Sequence, residues 1–349
     1  MAELSVLLQK HYTYYDRKAK LAAYYSEQMD KYLIEYIAEK KAQSAFYKLV
    51  ELMGKSNVQK EWIEQTLSDL DTCKGQGIRY TVFIALIRLV YYRYSGKYDR
   101  LINHCQITLA ALQNRSGVYS SHLFTFHLTL GLASVTQRKY PLAKVQFQKA
   151  EQYLVVNTYN EYLLKYYQTI SALHEGDYNF AYRLYRQNRK CKFSDIQQQF
   201  AITEAYFCFL NHTGYLQTQG RFRLSKYLNE TFKAQLDKQG SNIDIIIAEL
   251  LVHLVRDRGK FIDRVEQVEQ YSYKYLRIED TKRAKRLIKI LCMIPRSQFD
   301  STRLQQLASR HIQFLQQHKG GIKGNFTLDV IPYNDLLQMV LRRLNRKVA

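Results

Sequence analysis

The chain has 349 residues and carries 52 basic against 31 acidic side chains, a formal net charge of +21. Fourteen glycines and three prolines are too few for the tight turns of a β-sandwich or barrel, and they exclude collagen-like or Pro/Gly-rich sequence. With 46% hydrophobic residues wholesale disorder is excluded, while the basic surplus, densest over residues 301–349, leaves nucleic acid, an anionic membrane surface or an acidic protein open as partners.

The first residues, MAELSVLLQKHYTYYDRK, lack a basic stretch followed by an apolar one, so no signal peptide is expected. Residues 1–72 contain one glycine and no proline, with Leu33, Ile37 and then Phe46, Leu49, Val50 and Met53 at helical spacing. Three helices are expected, over roughly 3–24, 28–53 and 57–71, followed by a loop at Cys73–Gly77. Gly54-Lys55-Ser56 ends like a phosphate-binding loop. Leu49 stands where that motif needs its first glycine, however, so Gly54 reads as a helix C-cap. The most apolar window, Val82 to Tyr92, is broken by Arg88 and reads as a buried helix rather than a membrane span.

From residue 78 a phrase recurs: a glycine or basic residue, any residue, an aromatic, then a helix. It reads GKYDRL at 96–101, RKYPLA at 138–143, GDYNFA at 176–181, GRFRLS at 220–225 and GKFIDR at 259–264. Its aromatics, Tyr98, Tyr140, Tyr178, Phe222 and Phe261, are 42, 38, 44 and 39 residues apart. A period near 40 signals stacked supersecondary units. Each unit here holds two helices and a short turn whose aromatic plugs the bend. Ala143, Phe147, Ala150 and Leu154 trace one helical face, and Phe261, Val265 and Val268 trace another.

Residues 124–154 resemble a tetratricopeptide repeat. Leu130-Gly131 is similar to the family's Leu-Gly pair in the first helix, Ala143, Phe147 and Ala150 to the small, aromatic and small positions of the second, and Tyr140 to the turn aromatic. The next unit keeps Gly176, Tyr178, Ala181 and Tyr185 but has Thr169 in place of the glycine. The units at 80–113, 195–235 and 242–275 keep mainly the turn aromatic and the helix pairing. The resemblance implies an all-α fold, a right-handed α-solenoid of antiparallel helix pairs. An N-terminal helical region (1–77) precedes the repeats (78–278), and C-terminal helices with a capping segment (279–349) continue them.

Beyond 278 the sequence reads as a basic helix over about 280–293, a break at Pro295, a helix over about 298–318 and a glycine loop at 320–324. An extended apolar piece follows from Phe326 to Tyr333, then a last helix capped by Asn334 or Asp335. Solenoid ends need such closure.

Five dispersed cysteines without a CxxC read as buried, reduced thiols, which points to a cytoplasmic protein. His122 and His127 are five apart, poor spacing for two metal ligands on one helical face, and no His/Cys cluster supports zinc. No carboxylate pair stands out. A non-enzyme without cofactor or metal is expected. Three basic clusters are candidates for phosphate contact: Arg183, Arg186, Arg189 and Lys190; Lys282, Arg283, Lys285, Arg286 and Lys289; and Arg342, Arg343, Arg346 and Lys347. Tyrosine doublets such as Tyr14-Tyr15, Tyr24-Tyr25 and Tyr166-Tyr167 are expected to put one ring in the core and one near the surface. The function expected is a protein- or peptide-binding scaffold for an acidic ligand, using the concave surface of the solenoid. Arg93, Tyr166, His253 and Arg256 are its groove candidates. A nucleic-acid-binding module and a ligand-sensing regulatory solenoid are the alternatives.

Overall fold

The computed structural model describes residues 2–54, 60–73, 75, 77–113, 115, 118–218, 243–275, 282–318 and 328–345. These residues form sixteen α-helices and no strand, and no described helix is long and apolar enough to cross a membrane. Low glycine and proline content and apolar residues at helical spacing account for the all-helical outcome. The chain separates into two compact units, Met1–Ala133 and Ser134–Ala349. The border lies inside a helix. The helices on either side of residue 77, which flank the expected border of the N-terminal region, pack together.

The first unit holds α1 (Ala2–Tyr14), α2 (Ala19–Gly54), α3 (Lys60–Asp71), α4 (Ile78–Tyr94), α5 (Tyr98–Leu112) and most of α6 (Ser120–Thr136). The first break falls at residues 15–18 rather than 25–27, with Arg17 at φ 52°. Ala22, Tyr25 and Met29 are instead half-covered where α1 folds back along α2, and the Tyr12 and Tyr25 rings stack at 5.5 Å. Further along, Ala38, Ala42 and Leu49 bury α2 where it packs on α3 and α4. Gly131 is buried in α6, as are Leu130 and Leu132.

The second unit continues with α7 (Tyr140–Glu151), α8 (Tyr159–Glu175), α9 (Tyr178–Asn188), α10 (Ser194–His212), α11 (Ile243–Arg256), α12 (Arg258–Tyr275), α13 (Lys282–Cys292), α14 (Ser301–Leu307), α15 (Ser309–Gln317) and α16 (Tyr333–Asn345). Helices adjacent in sequence pack on one another from α7 through α13, and α13 packs on α15 and α16. Ala143, Phe147, Ala150, Ala181 and Tyr185 are buried, as their spacing demands.

Three of the recurring phrases form the same turn. Gly96, Arg138 and Gly176 all have positive φ, and the next residues, Lys97, Lys139 and Asp177, share φ near −87° and ψ between 60° and 72°. In each, that next residue's N–H donates to a carbonyl five residues back: Lys97 to Tyr92, Lys139 to Ser134 and Asp177 to Ala172. This is the Schellman closure of a helix C-terminus, and the aromatic is the first residue of the next helix. Glycine meets the left-handed backbone without cost, whereas Arg138 carries a Cβ there.

The other two phrases depart from expectation. Gly259 lies in the first turn of α12, because the junction falls at Asp257, whose carboxylate accepts from Lys260 N at 3.1 Å. Phe261 is therefore a fully buried residue of the helix rather than a turn aromatic. The phrase at 220–225, with Phe222, lies outside the described residues, and α10 is instead closed by Gly214 at φ 79°. The helix expected over 298–318 is two, α14 and α15, broken at Ala308. The Tyr166 and Tyr167 rings are both buried, and Tyr14 and Tyr15 are both exposed, so these two doublets do not divide between core and surface, whereas Tyr24 is exposed and Tyr25 half-covered.

Candidate functional site

The C-terminal segment is tied down by polar contacts around a cavity of about 270 Å³. Arg283 Nη1 meets the Asp329 carboxylate at 2.8 Å, both side chains largely buried, and Arg283 Nε donates to His318 O at 2.8 Å. His174 Nε2 lies 2.6 Å from the Asp329 carbonyl oxygen, Tyr140 OH donates to His174 O at 2.9 Å, and Arg138 reaches Asp335 at 3.0 Å. Asn334 Nδ2 donates to Leu315 O at 3.2 Å. Asn334 and Asp335 thus make tertiary contacts, and α16 begins one residue earlier, at Tyr333. Burial pushes the His174 pKa below its ordinary value. Arg138, Tyr140, His174, Arg283, Asp329 and Asn334 are thus engaged in fastening the C-terminal segment.

A second concavity, of about 350 Å³, lies in the first unit. The helical register of α2 puts Glu39, Lys40, Gln43, Phe46 and Tyr47 on one wall; α4 supplies Arg79, Val82 and Phe83; Tyr119 and His122 close it. Its rings form a chain: Phe46 to Phe83 at 5.8 Å, Phe83 to His122 at 6.3 Å and His122 to Tyr119 at 5.4 Å. Tyr47 and Tyr119 are more than half exposed at the rim. Arg79 stacks 5.9 Å over Tyr119 and meets Glu39 at 3.4 Å, a long contact for an ion pair. Lys40 donates to Gln43 at 3.1 Å and has no carboxylate partner among the described residues. His122 Nδ1 is buried without a hydrogen bond, and burial lowers the pKa of the ring, which keeps it neutral at pH 7. The concavity is thus lined by rings and Val82 together with the polar side chains of Glu39, Lys40, Gln43 and Arg79.

The groove candidates chosen from sequence fall elsewhere. Arg93 is 2% exposed, stacked 5.0 Å from the Tyr94 ring, and Tyr166 is 3% exposed, its hydroxyl donating to Gln199; neither offers a groove surface. His253 is largely buried beside Glu249, which pairs with Arg264 at 2.8 Å. Arg256 alone of the four is exposed. Arg183, Arg186, Arg189 and Lys190 are exposed on and just after α9. In the α13 cluster Lys282 and Lys289 are exposed and Lys285 is half-buried. Arg283 there is committed to Asp329, and Arg286 to His311 at 2.8 Å and the Phe314 ring at 5.0 Å, so two of its five cations are structural. Arg342 donates to Tyr215 OH at 3.1 Å, Arg343 is half-buried, and Arg346 and Lys347 lie outside the described residues.

No group of three His, Cys, Asp or Glu side chains is placed to hold a metal among the described residues. Cys208 lies 3.7 Å from His212 Nδ1, but burial pushes its thiol up to about 11, so it is no thiolate nucleophile at neutral pH. No protein-family model, curated protein or solved structure matches the chain.

Proposed function

We propose that the protein is a non-enzymatic, peptide-binding helical-repeat scaffold whose ligand groove is the ring-lined concavity of the first unit. The observation that carries this is the convergence of Phe46, Tyr47, Phe83, Tyr119 and His122 beside Lys40, a cation with no carboxylate partner. The rings take an aromatic or long apolar side chain, and Lys40 with Arg79 takes a neighbouring Asp or Glu. The equivalent turns at Gly96, Arg138 and Gly176 support the tetratricopeptide-like reading of the repeats as a right-handed solenoid of helix pairs.

The test is selection of peptides from a random display library on the full chain. Expected is enrichment of an aromatic residue within a few positions of an acidic one, abolished by Tyr119→Ala with Lys40→Glu. Enrichment that survives the double substitution, or none at all, overturns the reading. Selection of nucleic acid instead, lost on reversing Arg183 and Arg186, would favour the basic face of α9.

A further inference from the structure

The side of α2 that faces neither α1 nor the groove carries a pattern that fits itself. Ala23, Glu27, Asp30, Ile34, Ile37, Lys41, Ser44 and Lys48 recur at alternating spacings of four and three, the seam spacing of a coiled coil. All eight are exposed. Ile34 and Ile37 are 48% and 46% exposed at its centre, and such adjacent apolar side chains on a solvated helix mark a contact surface. Acids lie on one side of the pair and bases on the other. Glu27, Asp30 and Lys41 form no ion pair among the described residues, and Lys48 makes a cation–π contact with Trp62 at 5.3 Å.

We infer that α2 pairs with α2 of a second copy of this chain, antiparallel, about a twofold axis between Ile34 and Ile37. A twofold contact must be self-complementary. The antiparallel arrangement sets Ile34 against Ile37 of the second copy and Asp30 against its Lys41, each contact made twice. A parallel arrangement sets like charges side by side. The axis falls near the middle of α2, so two helices of 36 residues overlap along almost their whole length. Charge favours this face for a second reason. Two chains of +21 repel, whereas residues 1–54 hold eight basic and seven acidic side chains, a net +1. The seam lies on a different face of α2 from Lys40, Gln43 and Tyr47, so peptide binding and pairing can fail separately.

Sedimentation equilibrium of the full chain over a range of concentrations tests this. The wild type is expected to dimerise. Asp30→Lys and Lys41→Asp should each weaken the dimer roughly tenfold, since each turns two attractive contacts repulsive. Asp30→Lys combined with Lys41→Asp should restore it. These positions are exposed, so circular dichroism should show unchanged helix content for every variant. A wild type that stays monomeric up to its solubility limit overturns the inference. So does a dimer indifferent to the single substitutions, or one that the combined swap fails to rescue, because another surface would then hold the two copies together.

Discussion

The N-terminal helix pair and the C-terminal segment end the same chain in opposite ways. Of the large hydrophobic side chains that stay exposed among the described residues, more than half fall within the first 50 positions, among them Leu4, Leu7, Tyr14, Tyr15, Leu33 and Ile34. In the last eighteen described residues, Leu328, Val330, Ile331, Tyr333, Leu336, Leu337, Met339, Val340 and Leu341 are each at most 6% exposed. The difference is in the number of neighbours. α16 is apolar on one stripe and finds α13, α14 and α15 to cover it. α2 carries apolar residues on several faces, and its N-terminal half has α1 on one of them. A helix apolar on several faces needs several partners. The C-terminal segment is therefore covered by neighbouring helices, whereas the N-terminal pair leaves apolar side chains exposed.

The contrast breaks most sharply at Asp329. Asp329→Ala leaves Arg283 buried without its carboxylate, and removing one partner of a buried pair costs about 3–5 kcal/mol. Urea denaturation should show that loss; a change below about 1 kcal/mol would mean the pair is solvated. Next, Leu337→Ala should cost about 2–5 kcal/mol through the cavity it leaves. Gly176→Ala places a Cβ at φ 90° and should lower stability by about 1–2 kcal/mol, while Arg138→Gly should change it by less than about 1 kcal/mol, because relief of the same strain is offset by loss of the exposed Asp335 ion pair. Thermal melts of both variants check the sign.

Acid probes the C-terminal seal more gently. The folded pKa of His174 lies below its unfolded value of about 6.5, so protons prefer the unfolded chain. Its contribution is fully present above about pH 6.5 and is lost as pH falls through the folded pKa. Half-buried His122, His253 and His311 shift the same way. Glu249 opposes them: burial raises its pKa, so its contribution falls as pH rises above about 4.3. Stability measured by urea from pH 7 to 5 should decline, and His174→Asn should flatten the slope. At the other end, Leu7→Ser should move the unfolding midpoint by no more than about 0.5 kcal/mol, because the residue is already exposed. A larger loss would show that the N-terminal pair is covered after all.

Short-range signals were legible in the sequence. The recurring phrase marked three turns of one backbone geometry, and the Ala143–Phe147–Ala150 face is buried as its spacing requires. The site was less legible, because side chains distant in sequence decide it. Arg283 looked like one of five free cations, and its partner lies 46 residues on; Arg138 and Asp335 are 197 apart. Arg93 and Tyr166 are groove candidates by sequence, yet packing takes both inside. The ring-lined concavity joins residues from 39 to 122, and no local pattern announces it. Its one sequence trace is the density of aromatics flanking Lys40 and Arg79.

α2 also has a mechanical consequence. Thirty-six residues make a rod about 54 Å long. Ala38, Ala42 and Leu49 clamp its far half against α3 and α4, while the near half packs along α1. A beam held at one end deflects most at its tip, so the Tyr14, Tyr15 and Tyr24 rings are expected to make the widest excursions in the first unit. Two such beams laid head to tail would brace each other, the loose tip of each resting beside the anchored end of its twin.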